Sequence, residues 1–162
     1  MSSPPPLTPL AAAVLHVERP ERVLQVACGD GEAALFLARE FPPARVRGID
    51  ADPGLVAAAS RRVGLDPEGR VAFKVGGPAK IPYPDDNFDL VASVDARPAA
   101  GELARVLRPG GNLILAATKG AAAGRGVSAW LLARGLRSRG FETVIEERAG
   151  AGSFLVARLP GP

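Results

Sequence analysis

Short apolar runs alternate along this chain with segments whose apolar residues recur at helical spacing. Runs that are apolar throughout predict buried strands, and apolar residues three and four positions apart predict amphipathic helices. The predicted strands are Arg22–Ala27, Val46–Asp50, Val71–Val75, Phe88–Ser93, Leu113–Ala117, Glu142–Glu147 and Ser153–Arg158. The predicted helices are Pro9–His16, residues 32–40, Pro53–Arg62, residues 99–107 and Val127–Arg139. Thr8 and Asp52 precede prolines and are the expected N-caps of the first and third helices.

This alternation of strands and helices predicts an α/β fold. Continuous apolar strands separated by helices are typical of a parallel sheet that is covered on both faces. The last two strands are joined only by the turn 149–152, which is too short for a parallel crossover and requires an antiparallel hairpin. A chain of 162 residues is the length of one domain. We expect residues 1–20 to be an N-terminal extension with a short helix, and residues 21–160 to form the domain.

Composition narrows the class of protein. The chain is 47% hydrophobic and 23% charged, which is typical of a globular domain. It has no apolar run long enough to cross a bilayer and no secretory signal pattern, so we expect a cytoplasmic protein without a membrane partner. Its one cysteine and one histidine disfavour a disulfide framework and a metal site. The formal net charge of +3 is too modest to predict a nucleic-acid partner.

The stretch VLQVACGDGEAA carries the clearest chemistry. A predicted strand enters a turn containing Gly29 and Gly31 and then passes directly into a helix, whose first N–H groups are unpaired. Glycines at such a turn let the backbone approach a ligand closely. Asp50 ends the next predicted strand, where a carboxylate can accept hydrogen bonds from ribose hydroxyls. Together these features predict a ribose-containing ligand, with Asp52 serving as a helix cap instead.

Four segments of the chain resemble the motifs of class I S-adenosylmethionine-dependent methyltransferases. These segments are VLQVACGDG, GIDADPGLVAAA, AKIPYPDDNFDLVAS and ELARVLRPGGNLILA. The resemblance covers roughly residues 20–160. It implies a Rossmann-like sandwich with a seven-stranded sheet, order 3-2-1-4-5-7-6, in which strand 7 is antiparallel.

The resemblance also implies S-adenosylmethionine as cofactor and a set of residues that contact it. Gly29 and Gly31 would line the methionine side, Asp50 the ribose, and Ser93 the transferred methyl group. The full implied set is Ala27, Cys28, Gly29, Gly31, Asp50, Ala51, Gly77 and Ser93. The chain departs from the family pattern by carrying Gln25 and Gly77 where acids are usual, and Ala27 where the first glycine is usual.

Three functions therefore compete. The first is a methyltransferase whose acceptor the sequence does not name. The second is a non-catalytic, methyltransferase-like protein that binds the cofactor or a partner. The third is a dinucleotide-dependent oxidoreductase, because Gly29, Gly31 and Ala34 fit G-x-G-x-x-A. The short segment 94–98 predicts an open site. The site would have to be covered by residues 7–17, by the loop 119–126, or by another subunit in a homo-oligomer or complex.

The remaining chemistry-bearing residues have structural interpretations. We expect Cys28 and His16 to be packing residues rather than a nucleophile or a base. We expect Asp85, Asp86 and Asp89 to serve the turn and strand start rather than bind a metal. Asp95 and Arg97 belong to a short solvated loop. Trp130, Arg134 and Arg137 share a helix face that we interpret as a solvated arginine surface.

Overall fold

A seven-stranded sheet organises the protein, in the order β3-β2-β1-β4-β5-β7-β6. The computed structural model describes residues 7–119 and 134–161. Strands β1 to β5 run parallel to one another, whereas β7 runs antiparallel to both β5 and β6. The predicted strand order and the antiparallel seventh strand are confirmed.

The elements follow the predicted alternation. The strands are β1 Arg22–Val26, β2 Arg45–Asp50, β3 Val71–Val75, β4 Phe88–Val94, β5 Leu107–Ala117, β6 Glu142–Ala149 and β7 Gly152–Arg158. The helices are α1 Thr8–Ala13, α2 Glu32–Glu40, α3 Pro53–Val63 and α4 Ala100–Val106, with a 3₁₀ turn at Val14–His16. Residues 134–138 are also helical, and the rest of the predicted helix Val127–Arg139 lies outside the described residues.

Two apolar layers cover the two faces of the sheet. Successive strand residues point to opposite faces, so Val23 joins one layer and Leu24 the other. The first layer includes Leu10 of α1 and Leu37 of α2, and the second includes Leu103 of α4. Within the described residues, no helix combines the length and apolar character needed to cross a membrane.

The helix caps were predicted with mixed success. The Asp52 carboxylate accepts a hydrogen bond from the Gly54 amide at 2.8 Å, which confirms it as the N-cap of α3. The prediction for Thr8 was wrong by one residue, because Thr8 is already helical and Leu7 is the cap. A proline in the first turn is compatible with either start.

The start of β5 was also predicted wrongly. Helix α4 ends at Val106, one residue before its predicted end, and the strand begins at Leu107 rather than Leu113. The Pro-Gly-Gly sequence that was expected to end the helix therefore lies within β5. Phe88 pairs with Leu107 and Leu90 with Asn112, so the intervening residues of β5 bulge out of the ladder. Because Leu159 donates to the Gly111 carbonyl at 2.9 Å, the bulge is paired with the chain after β7.

The connection between β3 and β4 is fixed by α4. The Arg105 guanidinium donates to the carboxylates of Glu102 and Asp85 and to the carbonyls of Ile81 and Tyr83. The Ile81 amide in turn donates to Glu102 at 2.9 Å. This network holds residues 81–85 against α4 as the chain approaches the start of β4.

Candidate functional site

The turn after β1 takes a left-handed path at three positions. Ala27, Gly29 and Gly31 have φ of 55°, 53° and 93°. A Cβ at Gly29 would meet no atom within 4 Å, whereas one at Gly31 would lie 2.9 Å from the Phe73 ring. Gly29 therefore presents bare backbone to open space, and Gly31 is required for packing of the helix start against β3.

The Asp50 carboxylate joins this turn to the end of β2. Its Oδ2 accepts from the Gly29 amide at 3.0 Å, and its Oδ1 accepts from the Asp52 amide at 2.9 Å. The side chain is partly exposed. Each carboxylate oxygen has about two acceptor sites, so both retain capacity for a further donor. The structure thus brings together the glycine turn and the acid that the sequence singled out.

The segment after β3 lies beside the same carboxylate-bearing strand end. The Gly76 amide donates to the Asp50 carbonyl at 3.0 Å. A Cβ at Gly77 would meet nothing within 4 Å. Ala51 is exposed. The start of the segment after β3 therefore lies against the end of β2, next to Asp50 and Ala51.

The end of β4 is tied to the end of β5 by a contact that sequence reasoning missed. Asp95, with φ of 56°, accepts hydrogen bonds from the Thr118 amide at 2.8 Å and the Thr118 hydroxyl at 2.6 Å. Ser93 is buried, and its hydroxyl lies 3.4 Å from the Ala96 carbonyl. The sequence offered one indication of this contact, which is that Asp95 and Thr118 each follow a predicted strand. The segment 94–98 is consequently closed down onto β5 rather than extended over the cleft.

Two buried polar groups lie in or next to the β1 turn. Burial, with the nearby Asp50 charge, raises the pKa of the Cys28 thiol to about 11, so the thiol stays protonated at neutral pH and is a packing residue. Gln25 is 1% exposed and donates to the Val26 carbonyl at 3.1 Å. Its Oε1 has no hydrogen-bond partner among the described residues.

The other residues noted in the sequence have structural contacts. His16 is exposed, and its ring stacks on Phe154 with centroids 5.8 Å apart. The Asp89 carboxylate accepts from the Glu21 and Arg22 amides and pairs with Arg108 at 2.9 Å. Arg97, Arg134 and Arg137 are exposed, and Trp130 lies outside the described residues.

These features meet at the carboxyl ends of β1, β2 and β4. The chain proceeds from β1 to β2 on one side and returns to β4 on the other, so the connections diverge at β1. Open α/β sheets bind ligands in the crevice at such a point. The arrangement suits a ligand with hydroxyl donors near Asp50.

Comparison with known proteins points the same way. Residues 23–111 match the model of a family described as a methyltransferase domain. The chain is 38% identical over 103 residues to a ubiquinone/menaquinone biosynthesis C-methyltransferase of Geobacter sulfurreducens, covering 58% of this chain and 40% of that protein. It is 38% identical over 101 residues to a fatty-acid O-methyltransferase of Mycolicibacterium smegmatis, covering 58% and 36%. The chain thus spans less than half the length of these relatives.

The fold has close counterparts among solved structures. A SAM-dependent methyltransferase from Aquifex aeolicus superimposes with a TM-score of 0.76 over 95% of this chain and 91% of that one, at 20% identity. At that identity the likeness concerns the fold alone.

Proposed function

The chain belongs to the methyltransferase-domain family, and from that premise we propose that it transfers a methyl group from S-adenosylmethionine to an acceptor. The observation that carries the proposal is the Asp50 carboxylate, which holds the Gly29 amide at 3.0 Å. One side chain thereby fixes the glycine turn and keeps acceptor capacity for ribose hydroxyls.

The residues of the cleft fit an S-adenosyl ligand. Open space beside Gly29 and Gly77 admits a ligand against bare backbone. In the proposed arrangement, Ala27, Cys28, Gly29 and Gly31 form the floor on the methionine side. The ribose lies at Asp50, and the adenine lies between Ala51 and Gly77. Ser93 lies below the end of β4, nearest to the reacting methyl group.

The protein's own contribution to transfer is alignment and water exclusion. When bound, the sulfonium supplies an electrophilic methyl group, and the acceptor must approach in line with the departing sulfur. Holding two reactants in line lowers the activation free energy by several kcal/mol, and by up to about 7–11 kcal/mol in well-oriented cases. We assign no catalytic acid or base, since the Cys28 thiol is protonated at neutral pH.

We propose that an element other than segment 94–98 covers the cofactor cleft. Asp95 and Thr118 bind segment 94–98 onto β5, which leaves the cleft uncovered from that side. The 3₁₀ turn Val14–His16 lies near the carboxyl end of β5, because His16 stacks on Phe154 and Phe154 pairs with Ala116. We propose that this turn, together with a partner subunit or a large acceptor, excludes water during transfer.

We also propose the division of the chain into residues 1–20 and a methyltransferase domain of residues 21–160. The buried side chain of Leu10 means that the N-terminal segment packs on the domain and is part of its core.

A second candidate function is binding without turnover. The observations that favour it are the left-handed Ala27 and the unpartnered Gln25 oxygen at the base of the cofactor turn. Backbone strain and an unsatisfied buried oxygen each cost free energy, and both lie in or beside the turn that would contact the cofactor.

Ligand-dependent thermal unfolding separates these functions. A ligand at one hundred times its Kd stabilises the fold by about 2.7 kcal/mol. We expect S-adenosylmethionine and S-adenosylhomocysteine to stabilise the protein and NAD to leave it unchanged. Stabilisation by NAD alone would favour the oxidoreductase. Binding of both S-adenosyl ligands without label transfer to any acceptor fraction would favour the non-catalytic function.

A further inference from the structure

A small basic cavity lies at the opposite end of the strands from the cofactor cleft. Its volume is about 150 Å³. It is lined by Arg22, Arg45, Arg47, Tyr83, Asn87 and Phe88. Arg22, Arg45 and Phe88 are the first residues of β1, β2 and β4. With a rise of about 3.3 Å per residue, β1 separates this cavity from the glycine turn by about 13 Å.

Strand register places the three arginines on one face of the sheet. Arg22 pairs with Arg45, and Leu24 pairs with Arg47. Residues two apart along a strand share a face, so all three arginines project to the side of Leu24. The chain between β3 and β4 contains no helix, and this part of the face is bordered by Tyr83 instead. The arginines therefore remain at least partly exposed to solvent.

Their guanidinium groups are held by uncharged oxygens. Arg22 donates to the Asn87 side-chain oxygen at 3.2 Å, and Arg45 donates to the Glu68 carbonyl at 3.3 Å. Arg47 donates to the Gly69 and Arg70 carbonyls, both at 3.2 Å.

Other arginines in the described part of the chain do have anionic partners. Arg62, Arg105 and Arg108 are paired with carboxylates at 3.0 Å or less. Across the same described residues, no carboxylate lies in salt-bridge contact with any of the three cavity arginines. The Asp89 carboxylate accepts from the Arg22 backbone amide at 2.9 Å, but its ion pair is with Arg108. The three cavity guanidinium groups therefore form no direct ion pair among the described residues.

Tyr83 adds a neutral donor beside these cations. Tyr83 and Arg47 line the same cavity. Burial raises the pKa of the Tyr83 hydroxyl, and the Arg47 charge opposes part of that rise. The Tyr83 carbonyl accepts from Arg105 at 2.8 Å. Its ring packs edge-on against Phe88 with centroids 5.1 Å apart, and Lys74 Nζ lies 5.3 Å from the ring centroid. Within the described residues, its hydroxyl has no hydrogen-bond partner.

We propose that Arg22, Arg45, Arg47 and Tyr83 form a second ligand site, which binds a phosphate-type oxyanion. Guanidinium groups match the geometry of phosphate oxygens and bind them through paired hydrogen bonds. The cavity is smaller than the roughly 300–1,000 Å³ of sites that enclose a whole organic ligand. It therefore takes free phosphate, or the phosphoryl end of an ester whose remainder lies in solvent.

The test measures phosphate binding by the whole protein at constant ionic strength. Proton–nitrogen NMR spectra would be recorded while sodium chloride is replaced by inorganic phosphate. We expect saturable shifts at residues lining the cavity, and about a tenfold or greater loss of affinity in Arg47→Gln. Arg61→Gln is the matched control, because Arg61 is an exposed arginine on α3 and its loss removes the same charge. Tyr83→Phe retains the ring and is expected to weaken binding by a smaller factor.

Glycerol 3-phosphate distinguishes the two sources of the oxyanion. Tighter binding of this ester than of phosphate, with the same dependence on Arg47, identifies an ester as the ligand, and equal or weaker binding identifies the free ion. Equal losses in Arg47→Gln and Arg61→Gln, or unsaturable shifts spread over the surface, would overturn the proposal. Since S-adenosyl ligands bind elsewhere, their binding serves as a separate readout of the cofactor cleft in every variant.

Discussion

At the residue scale, the glycine turn after β1 contains a backbone conformation that its sequence does not favour. Ala27 is an L-residue at φ of 55°, where the Cβ crowds the backbone. Among residues 7–119 and 134–161, the other non-glycine positions with positive φ are Asp86 and Asp95, and aspartate tolerates this region better. Ala27 is held there because β1 is buried on one side and the Gly29 amide is bound to Asp50 on the other.

Replacing Ala27 with glycine should therefore stabilise the protein. Glycine relieves about 1–2 kcal/mol of left-handed strain in the folded state. This exceeds the entropic cost of a more flexible unfolded chain, so we expect the free energy of unfolding to rise by about 0.5–1 kcal/mol. Urea denaturation measures it. The control Ala79→Gly, in an exposed loop without positive φ, should lose about 0.4–1 kcal/mol. If Ala27→Gly is destabilised as much as the control, Ala27 carries no strain.

At the element scale, α4 and the segment before β4 behave as one unit. Glu102 accepts from Arg105 Nε at 2.6 Å and from the Ile81 amide at 2.9 Å. The hydrogen bond from Arg105 lowers the pKa of Glu102, against a smaller opposing effect of burial. The packing of α4 is thus coupled to the ionisation of one carboxylate.

This coupling predicts a pH dependence. The pKa of Glu102 is lower in the folded state than its ordinary value of 4.5. The contribution of Glu102 to the free energy of unfolding is therefore fully present above pH 4.5. It is lost as the pH falls through the lower pKa that Glu102 has in the folded protein. Between about pH 6 and about pH 3, we expect the unfolding free energy of Glu102→Gln to fall by about 1 kcal/mol less than that of the wild type. Denaturation curves for Glu40→Gln, which removes an exposed glutamate of α2, should follow the wild type. Identical pH profiles for the wild type and Glu102→Gln would show that the pair is not coupled to stability.

The elements themselves were largely predictable from the sequence, and their irregular ends were not. Apolar runs identified central strands such as β1 and β4, because burial on both faces leaves a continuous pattern. The edge strands β3 and β6 are largely exposed and carry a weaker pattern. The Pro-Gly-Gly turn concealed the start of β5, because a bulge retains pairing where turn residues predict a loop. Asp50 and the glycine turn were predictable as a pair. The Asp95–Thr118 contact and the Arg105 network join residues far apart in sequence, so they emerged only from the structure.

At the scale of the whole molecule, the N-terminal helix belongs to the core. Leu10 is fully buried and packs in the same apolar layer as Leu37 and Phe154. Leu15, one turn later, is 78% exposed. The two leucines therefore provide a matched test of how the N-terminal segment contributes to stability.

Truncation of each leucine should give very different results. Leu10→Ala leaves a cavity and should cost about 2–4 kcal/mol of unfolding free energy. Leu15→Ala should cost less than about 0.5 kcal/mol. Thermal or chemical denaturation measures both. Similar small losses would mean that α1 is a detachable extension rather than part of the folded domain.

The central claim is that Asp50 binds the ribose of an S-adenosyl ligand, and calorimetric titration with S-adenosylhomocysteine tests it most directly. Asp50→Ala removes the proposed ribose acceptor, whereas Asp52→Ala removes a neighbouring carboxylate that caps α3. Both lose one negative charge and backbone hydrogen bonds, so both should lose some stability. We expect Asp50→Ala to weaken binding by about tenfold to one hundredfold, as for loss of charged hydrogen bonds, and Asp52→Ala to bind within about threefold of the wild type. Equal affinities in the wild type and Asp50→Ala, or no binding by the wild type, would contradict the account.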